Sequence, residues 1–357
     1  MLVGPRRHGK TSFAKHFCLN WQERKHGEAI LLDVYNVSTH QDFLLQLLYA
    51  LQTKRNLWEK VCGWIKHIPE RMRPNAASYE HDDFGKLTLK WLAENDEQQK
   101  KLYIQETLES LAKFKGQLCF VIDECQQLSR ESINDDGWLE ATLRQHLQQQ
   151  VGEVAYMLTG SRRDVVHGMI NDSRRPLYRA FNILDFPPLE PEFTDWILER
   201  FAGTATKTTR ETIDYLRQKV ADSPNYVQMV CYHLVAMGCD VADKHMIDTA
   251  LINVTMQNAY SYETHLHNLS PHQQRVLRML ALEEEGYFSE VLLRQYEIAS
   301  TAYVTNAIHA LKKKNILDQE APGRGRVSFD DPLFKLWLRH KFGGYASDKN
   351  GQLTLLN

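Results

Sequence analysis

The residues best suited to chemistry are the first dozen of the chain. Residues 4–11 are Gly-Pro-Arg-Arg-His-Gly-Lys-Thr, which fits the pattern G-x-x-x-x-G-K-[ST]. The two glycines let the backbone curl until successive N–H groups point at phosphate oxygens. Lys10 would reach the β- and γ-phosphates, and the Thr11 hydroxyl would ligate Mg²⁺. The sequence therefore predicts a phosphate loop made of Gly4, Pro5, Arg6, Arg7, His8, Gly9, Lys10, Thr11 and Ser12.

Such a loop needs a strand before it and a helix after it. Apolar side chains recur at helical spacing through residues 10–22 and predict that helix. The positive end of the helix dipole would lie under the phosphates. Only residues 1–3 precede the loop, which leaves very little chain for the strand.

The second half of a nucleotide site is a strand that ends in two carboxylates. Residues 118–124 are Leu-Cys-Phe-Val-Ile-Asp-Glu, and the end of a parallel strand lies beside the phosphate loop. Asp123 would hold Mg²⁺ through water, and Glu124 would polarise the attacking water. An Asp-Glu pair can also simply end a strand, but the alternating pattern around it favours the chemical interpretation.

A third strand end offers further candidates at residues 159–163, Thr-Gly-Ser-Arg-Arg. Related enzymes place a polar residue here that senses the γ-phosphate, and Ser161 or Arg162 could do this. An ordinary turn with solvated arginines explains the segment equally well. Further along, one of the arginines around Pro-Leu-Tyr 176–178 could act as an arginine finger, although a solvated surface is the simpler explanation; these are Arg174, Arg175 and Arg179.

The elements that must position these residues alternate between strand and helix through residue 186. Strands are predicted at 28–35, 117–123, 154–159 and 183–186, with helices at 41–51 and 137–150 and a mostly helical stretch at 52–110 with a polar break at 69–83. This alternation predicts an α/β fold, a parallel sheet with helices on both faces.

The rest of the chain has a different pattern. A proline-rich stretch at 187–191 marks a boundary, and only helices are predicted from there to residue 263. They span 193–202, 208–220, 224–237 and 244–260. Three helices are then predicted at 270–282, 289–295 and 299–314, the first of them capped at its Ser-Pro start. A two-stranded hairpin follows them, which completes the winged-helix layout. The predicted domains are an ATPase core at 1–188, an all-α lid at 189–265, a winged helix at 266–343 and a loose tail at 344–357.

Composition excludes several classes of protein. The 357 residues carry a formal net charge of −2, so the chain is not a general polyanion binder. Its six cysteines form no C-x-x-C pair and predict reduced thiols in a cytoplasmic protein. No apolar stretch approaches the ~20 residues that span a membrane, so no membrane partner is expected.

Several segments, in this order, resemble the archaeal-type ATPases, a group of the STAND branch of AAA+-like P-loop NTPases near the Orc/Cdc6 initiators. They are the phosphate loop, the strand ending at Asp33, Asp-Glu-Cys-Gln 123–126, Thr-Gly-Ser 159–161, Pro-Leu-Tyr 176–178, Ser-Pro-Asn-Tyr 223–226 and Asp-Pro-Leu-Phe-Lys-Leu-Trp 331–337.

The resemblance implies an ATP site in which Pro224 of the lid lies against the adenine. The chain departs from the family in two places, with Asp222-Ser223 and Arg179 where relatives commonly have glycine. It also lacks the Gly-Arg-x-x-Glu segment, helix and full strand that normally precede the loop. We therefore expect a truncated chain or a start codon assigned too late.

The predicted winged helix could bind DNA. Lys312, Lys313, Lys314, Arg324 and Arg326 could neutralise a few phosphates. Acidic residues lie close by, and the first half of the third helix has no basic residue for base edges. A packing or regulatory module that binds a protein partner is therefore favoured over DNA binding.

These patterns predict an enzyme, a Mg²⁺-dependent ATPase in which ATP closes the lid onto the core and drives a conformational switch. ATP is favoured over GTP because the chain has no Asn/Thr-Lys-x-Asp motif. The alternatives are an ATP-gated DNA-binding initiator or regulator and a nucleotide-binding scaffold without turnover. The oligomeric state is left open.

Overall fold

The computed structural model describes residues 1–24, 27–54, 57–59, 96–114, 116–149, 154–318, 327–343, 345–347 and 353–355. Contacts divide the chain into two units, Met1–Pro5 with Gly9–Pro187 and Arg6–His8 with Pro188–Asn357. The polar break predicted at 69–83 and the wing residues Arg324 and Arg326 lie outside the described residues. Among the described helices, none has the length and apolar character needed to cross a membrane.

A parallel five-stranded sheet forms the centre of the first unit, in the order β2-β3-β4-β1-β5. The two-residue β1 is paired on both sides, since Leu2 lies opposite Thr159 of β4 and Leu184 of β5. Two neighbours therefore hold a strand that is too short to form alone. The strands are β1 (Leu2–Val3), β2 (Glu28–Asp33), β3 (Leu118–Asp123), β4 (Val154–Gly160) and β5 (Leu184–Asp185).

Strand β3 is buried at all six positions because helices cover both faces of the sheet. Leu118, Phe120 and Ile122 belong to the large core cluster, which also takes in apolar side chains from the helices on that face of the sheet. Cys119 and Val121 point to the opposite face and pack with the first helix. The predicted fold class is confirmed.

Five α-helices are found among the described residues of the first unit. The first begins directly after Gly9, and the second begins with a capping box formed by Thr39 and Asp42. The helix after β4 was not predicted, because it is only nine residues long and contains a glycine. The helices are α1 (Lys10–Glu23), α2 (His40–Gln52), α3 (Glu97–Ala112), α4 (Trp138–Gln149) and α5 (Arg163–Asn171).

The first part of the second unit is all-helical. The predicted helix over 244–260 is wrong at its end, because the chain breaks at Asn258 and starts a new helix at Ala259. The helices are α6 (Glu192–Ala202), α7 (Arg210–Lys219), α8 (Pro224–Ala236), α9 (Lys244–Gln257) and α10 (Ala259–His267).

Four more helices follow in the described part of the same unit, up to residue 343. Ser270 caps the first of them in a capping box with Gln273, and Pro271 occupies its first position, as the Ser-Pro pair predicts. Leu317 and Phe329 form an antiparallel bridge at the predicted hairpin. The helices are α11 (Pro271–Leu282), α12 (Glu290–Gln295), α13 (Thr301–Lys313) and α14 (Pro332–Gly343).

Six described residues of the tail form a pair of strands. Strands β6 (Tyr345–Ser347) and β7 (Leu353–Leu355) form an antiparallel ladder, so the prediction of a loose tail is wrong for these six residues. Tyrosine and threonine favour extended backbone, and pairing satisfies the backbone groups that a loose tail would leave to water.

Candidate functional site

The phosphate loop begins where β1 ends. The Gly4 N–H donates to the Gly160 carbonyl at 3.3 Å, which ties the start of the loop to the end of β4. A Cβ on Gly4 would lie 2.6 Å from Cβ of Phe186, so only glycine fits there. Gly9 has a φ of 91°, in the left-handed region that glycine adopts without strain. Both glycines of the motif are therefore required by the local geometry.

The lysine of the motif is turned into the loop. Lys10 is 5% exposed, and its ammonium donates to the carbonyl of Pro5 at 2.5 Å. It stands at the first position of α1, whose N-cap is a glycine without a capping side chain and whose first turn carries no acidic residue. The N–H groups of that turn are thus available to an anion.

The motif's threonine contacts the carboxylate predicted at the end of β3. The Thr11 hydroxyl donates to Oδ2 of Asp123 at 2.6 Å. The Thr159 hydroxyl, at the end of β4, donates to the other oxygen, Oδ1. Asp123 is 1% exposed, so these two hydroxyls compensate for the burial of its charge.

This pair of oxygen ligands fits Mg²⁺ on a nucleotide. Mg²⁺ keeps several waters and usually takes one or two protein oxygens together with phosphate oxygens. Throughout the described residues, no group of three or more His, Cys, Asp and Glu side chains could hold a metal by itself. Thr11 and Asp123 would therefore hold the ion only together with phosphates.

The second carboxylate stands on an unusual backbone. Glu124 has φ 59° and ψ 41°, a left-handed conformation that costs a non-glycine residue about 1–2 kcal/mol. Its N–H donates to Oδ1 of Asp123 at 3.1 Å, and its carbonyl accepts from the N–H of Gln127 at 3.0 Å. Strain of this kind is concentrated at functional sites.

The end of β4 supplies a partner for this carboxylate. The Ser161 hydroxyl donates to Oε2 of Glu124 at 3.0 Å, so the two predicted residues are brought together. Gln126, a residue not predicted for the site, donates to both of them. Burial raises the pKa of the neighbouring Cys125 thiol, with the charge of Glu124 as a further cause, so this thiol stays neutral.

The arginine candidates contact residues outside the group of Asp123, Glu124 and Ser161 in this structure, and their roles stay predictions. Arg162 forms an ion pair with Asp164 at 2.9 Å. Arg175 pairs with the fully buried Glu140 and is engaged within the fold. Arg174 is exposed, while the Arg179 guanidinium lies over the Tyr178 ring.

Four residues predicted for the site belong to the second unit, namely Arg6, Arg7, His8 and Pro224. Pro224 is buried at the first position of α8. Nδ1 of His8 lies 2.9 Å from the Arg6 carbonyl oxygen. The roles of these four residues stay predictions. So does the role of Ser12, an exposed residue of α1 in the first unit.

Thr159 and Gln126 are the residues that sequence reasoning missed. Each is a buried polar side chain beside a strand end, and each is adjacent or close in sequence to a predicted site residue. The sequence signal was a side-chain hydroxyl or amide within two residues of Glu124 or Ser161. Many positions in the chain carry such side chains near a strand end, and only the fold shows which of them contact the site residues.

Comparison with known proteins supports the fold. A family model described as "Probable winged helix domain" matches residues 260–340. No curated protein sequence matches this chain. The structure is similar to the Walker-type ATPase PABY2304 of Pyrococcus abyssi, with TM-score 0.61 and 18% identity over 95% of this chain and 90% of that one.

A second similar structure is the ORC2 protein of Aeropyrum pernix in its ADPNP–ADP complexes. The TM-score is 0.55 at 17% identity, covering 96% of this chain and 88% of that one. The predicted likeness to Orc-type P-loop ATPases is thus confirmed for the fold. The chain has the fold of a Walker-type P-loop ATPase and carries a winged helix domain at residues 260–340.

Proposed function

We propose that this protein binds ATP with Mg²⁺, hydrolyses it and changes conformation with the state of the nucleotide. One observation carries the proposal: Thr11 of the phosphate loop meets Asp123 directly, and Glu124 follows Asp123 at the same strand end. Lys10 stands one residue before Thr11, turned into the loop. The likeness to a structure described as ADPNP–ADP complexes supports the same class of ligand.

Each of these residues would have a separate task. Lys10 would leave the Pro5 carbonyl and neutralise charge on the β- and γ-phosphates. Thr11 and Asp123 would orient Mg²⁺, which supplies positive charge on the phosphate oxygens. Glu124 would orient a water and accept its proton as the new O–P bond forms and the bond to ADP breaks.

Two substitutions test binding and turnover separately. Lys10→Ala should abolish ATP binding in a calorimetric titration, while Lys15→Ala, an exposed lysine on the same helix, should leave it intact. Glu124→Gln should keep binding and lower phosphate release by at least about 100-fold. An unchanged affinity in Lys10→Ala would contradict the proposed ATP site.

If Lys10→Ala loses ATP binding but Glu124→Gln leaves phosphate release unchanged, the protein is a nucleotide-binding scaffold without turnover. For the switch itself, hydrogen exchange should differ between ADP and a non-hydrolysable ATP analogue in the second unit of wild-type protein. Identical exchange patterns in that unit would contradict the switch while leaving the ATPase activity in place.

DNA binding through the winged helix is a second candidate. It is favoured by the family match over 260–340 and by the exposed Lys313 and Lys314 at the end of α13. The exposed residues at the start of α13 include no basic side chain, so a protein partner remains the better proposal. Duplex binding that falls with salt and is lost in Lys313→Glu/Lys314→Glu would reverse this preference.

A further inference from the structure

The side chain of Gln126 uses both ends of its amide on candidate site residues. It lies in the short 3₁₀ turn Cys125–Ser129 that follows β3 and is 6% exposed. Nε2 donates to Oε2 of Glu124 and, at 3.2 Å, to the Ser161 hydroxyl. Oε1 accepts the Ser161 N–H at 3.3 Å. A buried amide is thus satisfied by these two residues.

The fold leaves room for this amide at one particular place. A Cβ on Gly160 would lie 3.0 Å from Oε1 of Gln126 and 2.7 Å from Cγ2 of Val166. The glycine between Thr159 and Ser161 therefore lets the amide reach the backbone N–H just after β4. The Gln126 side chain thus links the 3₁₀ turn after β3 to the end of β4, beside the bond between Ser161 and Glu124.

The effect on Glu124 is asymmetric. Oε2 accepts from both Gln126 and the Ser161 hydroxyl, whereas Oε1 accepts no hydrogen bond from any described residue. Two donors on one oxygen fix the orientation of the carboxylate plane. The other oxygen is left to take a hydrogen bond from water.

We propose that Gln126 is a positioning residue that fixes Glu124 and Ser161 so that Oε1 of Glu124 receives the proton of the attacking water. This inference rests on the proposed function, since it concerns the same hydrolysis. Gln126 acts through Glu124 and Ser161 and is not assigned a contact with nucleotide. A displacement of a reacting group by about 1 Å can cost ~100-fold in rate.

The first test compares two neighbouring glutamines. Gln126→Leu keeps the volume and removes both polar ends, and Gln127→Leu is the matched control because no described residue hydrogen-bonds to the Gln127 side chain. We expect Gln126→Leu to lower kcat at least about tenfold, with KM for ATP within about twofold. Gln127→Leu should match wild type in both constants.

The second test separates positioning from packing. In a Glu124→Gln background, Gln126→Leu should cause no further fall in kcat if it acts only through Glu124. An additional fall of the same size in that background would overturn the inference. So would an unchanged or increased kcat in the single variant, the increase showing that Gln126 restrains Glu124 from the reaction.

Folding is checked by thermal unfolding and by ATP binding. If Gln126→Leu does not fold, Gln126→Asn is used, because its shorter amide remains polar but cannot span both partners; it carries the same expected fall in kcat. Wild-type protein that binds ATP without hydrolysing it would overturn both this inference and the proposed hydrolysis. Wild-type hydrolysis with an unchanged Gln126 variant would overturn this inference alone.

Discussion

The hydroxyl of Thr11 lies 2.6 Å from Oδ2 of Asp123, although 112 positions separate the two residues in the chain. This contact joins the phosphate loop to the acidic end of β3. It places one hydroxyl and one carboxylate where a Mg²⁺ ion on phosphates would need them.

Asp123→Asn should remove the response to Mg²⁺. The substitution keeps the shape of the side chain but removes the charge that would attract the ion through water, and we expect Mg²⁺-stimulated turnover to fall by roughly 100-fold. Phosphate release is measured against Mg²⁺ concentration. Asp33→Asn, at the exposed end of the adjacent β2, is the control. A normal Mg²⁺ titration in Asp123→Asn would refute the assignment.

Arg175→Ala should destabilise the core. Glu140 is completely buried, and it accepts hydrogen bonds from Arg175 and from Asn134 at 3.2 Å. Removing the arginine leaves a buried charge without its counter-ion, which costs about 3 kcal/mol. Urea unfolding followed by tryptophan fluorescence measures the change.

Arg174→Ala is the matched control, because its side chain is 87% exposed and should leave the urea midpoint where it is. Equal midpoints for wild type and Arg175→Ala would show that the buried pair adds nothing. That result would also mean that Arg175 is not needed for stability, which would make a role as an arginine finger compatible with the fold.

Acid should weaken the core through His146. Burial lowers its pKa from 6.5 to about 4, and Nε2 lies 3.0 Å from the Tyr156 hydroxyl. Between these two pKa values, His146 is protonated in the unfolded chain and neutral in the folded chain. Stability is full above pH 6.5 and falls as the pH drops toward 4, by up to about 3 kcal/mol.

His146→Gln should flatten this slope between pH 6.5 and 4, since glutamine can still meet the Tyr156 hydroxyl but does not titrate. His16→Gln, at an exposed position of α1, should keep the wild-type slope. Urea unfolding at a series of pH values is the measurement. The same slope in His146→Gln as in wild type would place the acid sensitivity elsewhere.

Asp331→Ala should loosen the second unit. Oδ1 of Asp331 accepts from the Tyr226 hydroxyl at 2.8 Å and caps α14 through the Leu333 N–H at 2.9 Å. Oδ2 accepts from the Tyr262 hydroxyl at 3.1 Å. Losing a cap and two hydroxyl partners should cost about 2 kcal/mol or more.

Thermal unfolding and hydrogen exchange of α14 measure this loss. Tyr262→Phe removes one hydroxyl alone and should cost about 1 kcal/mol. An Asp331→Ala protein as stable as wild type would show that the carboxylate is not the centre of this network.

Sequence reasoning succeeded where the pattern is local. The phosphate loop, β3 with its two carboxylates and the Ser270 cap each occupy a few consecutive residues. Period and residue type are enough to predict such elements. The helix break at Asn258 could not be predicted, because the apolar pattern runs through it.

Contacts between distant strand ends could not be predicted at all. The bond from Thr159 to Asp123 and the bridge from Gln126 to Ser161 depend on which strands are neighbours and on their register. Many side-chain hydroxyls and amides in the sequence lie near strand ends. The order of the strands in the sheet decides that Thr159 and Gln126 are the ones that contact the site residues.

The two positions at which the chain departs from the glycine expected from the family resemblance have a left-handed backbone. Arg179 has a φ of 54° and Asp222 a φ of 56°, both in the left-handed region that favours glycine. Arg217 pairs with Asp222 at 2.6 Å, and the Arg179 N–H donates to the Ile170 carbonyl at 2.9 Å. Specific contacts therefore hold here the backbone that a glycine would adopt freely.

The left-handed backbone of Glu124 has a consequence for anyone who evolves this protein in the laboratory. Glycine at position 124 would relieve about 1 kcal/mol of strain and would also remove the proposed base. A library selected for heat resistance alone would therefore enrich folded variants that lack the carboxylate of the proposed base. A selection that also measures nucleotide turnover would retain Glu124 if this carboxylate is the base, because the residue that best fits the backbone at 124 has no side chain to accept a proton.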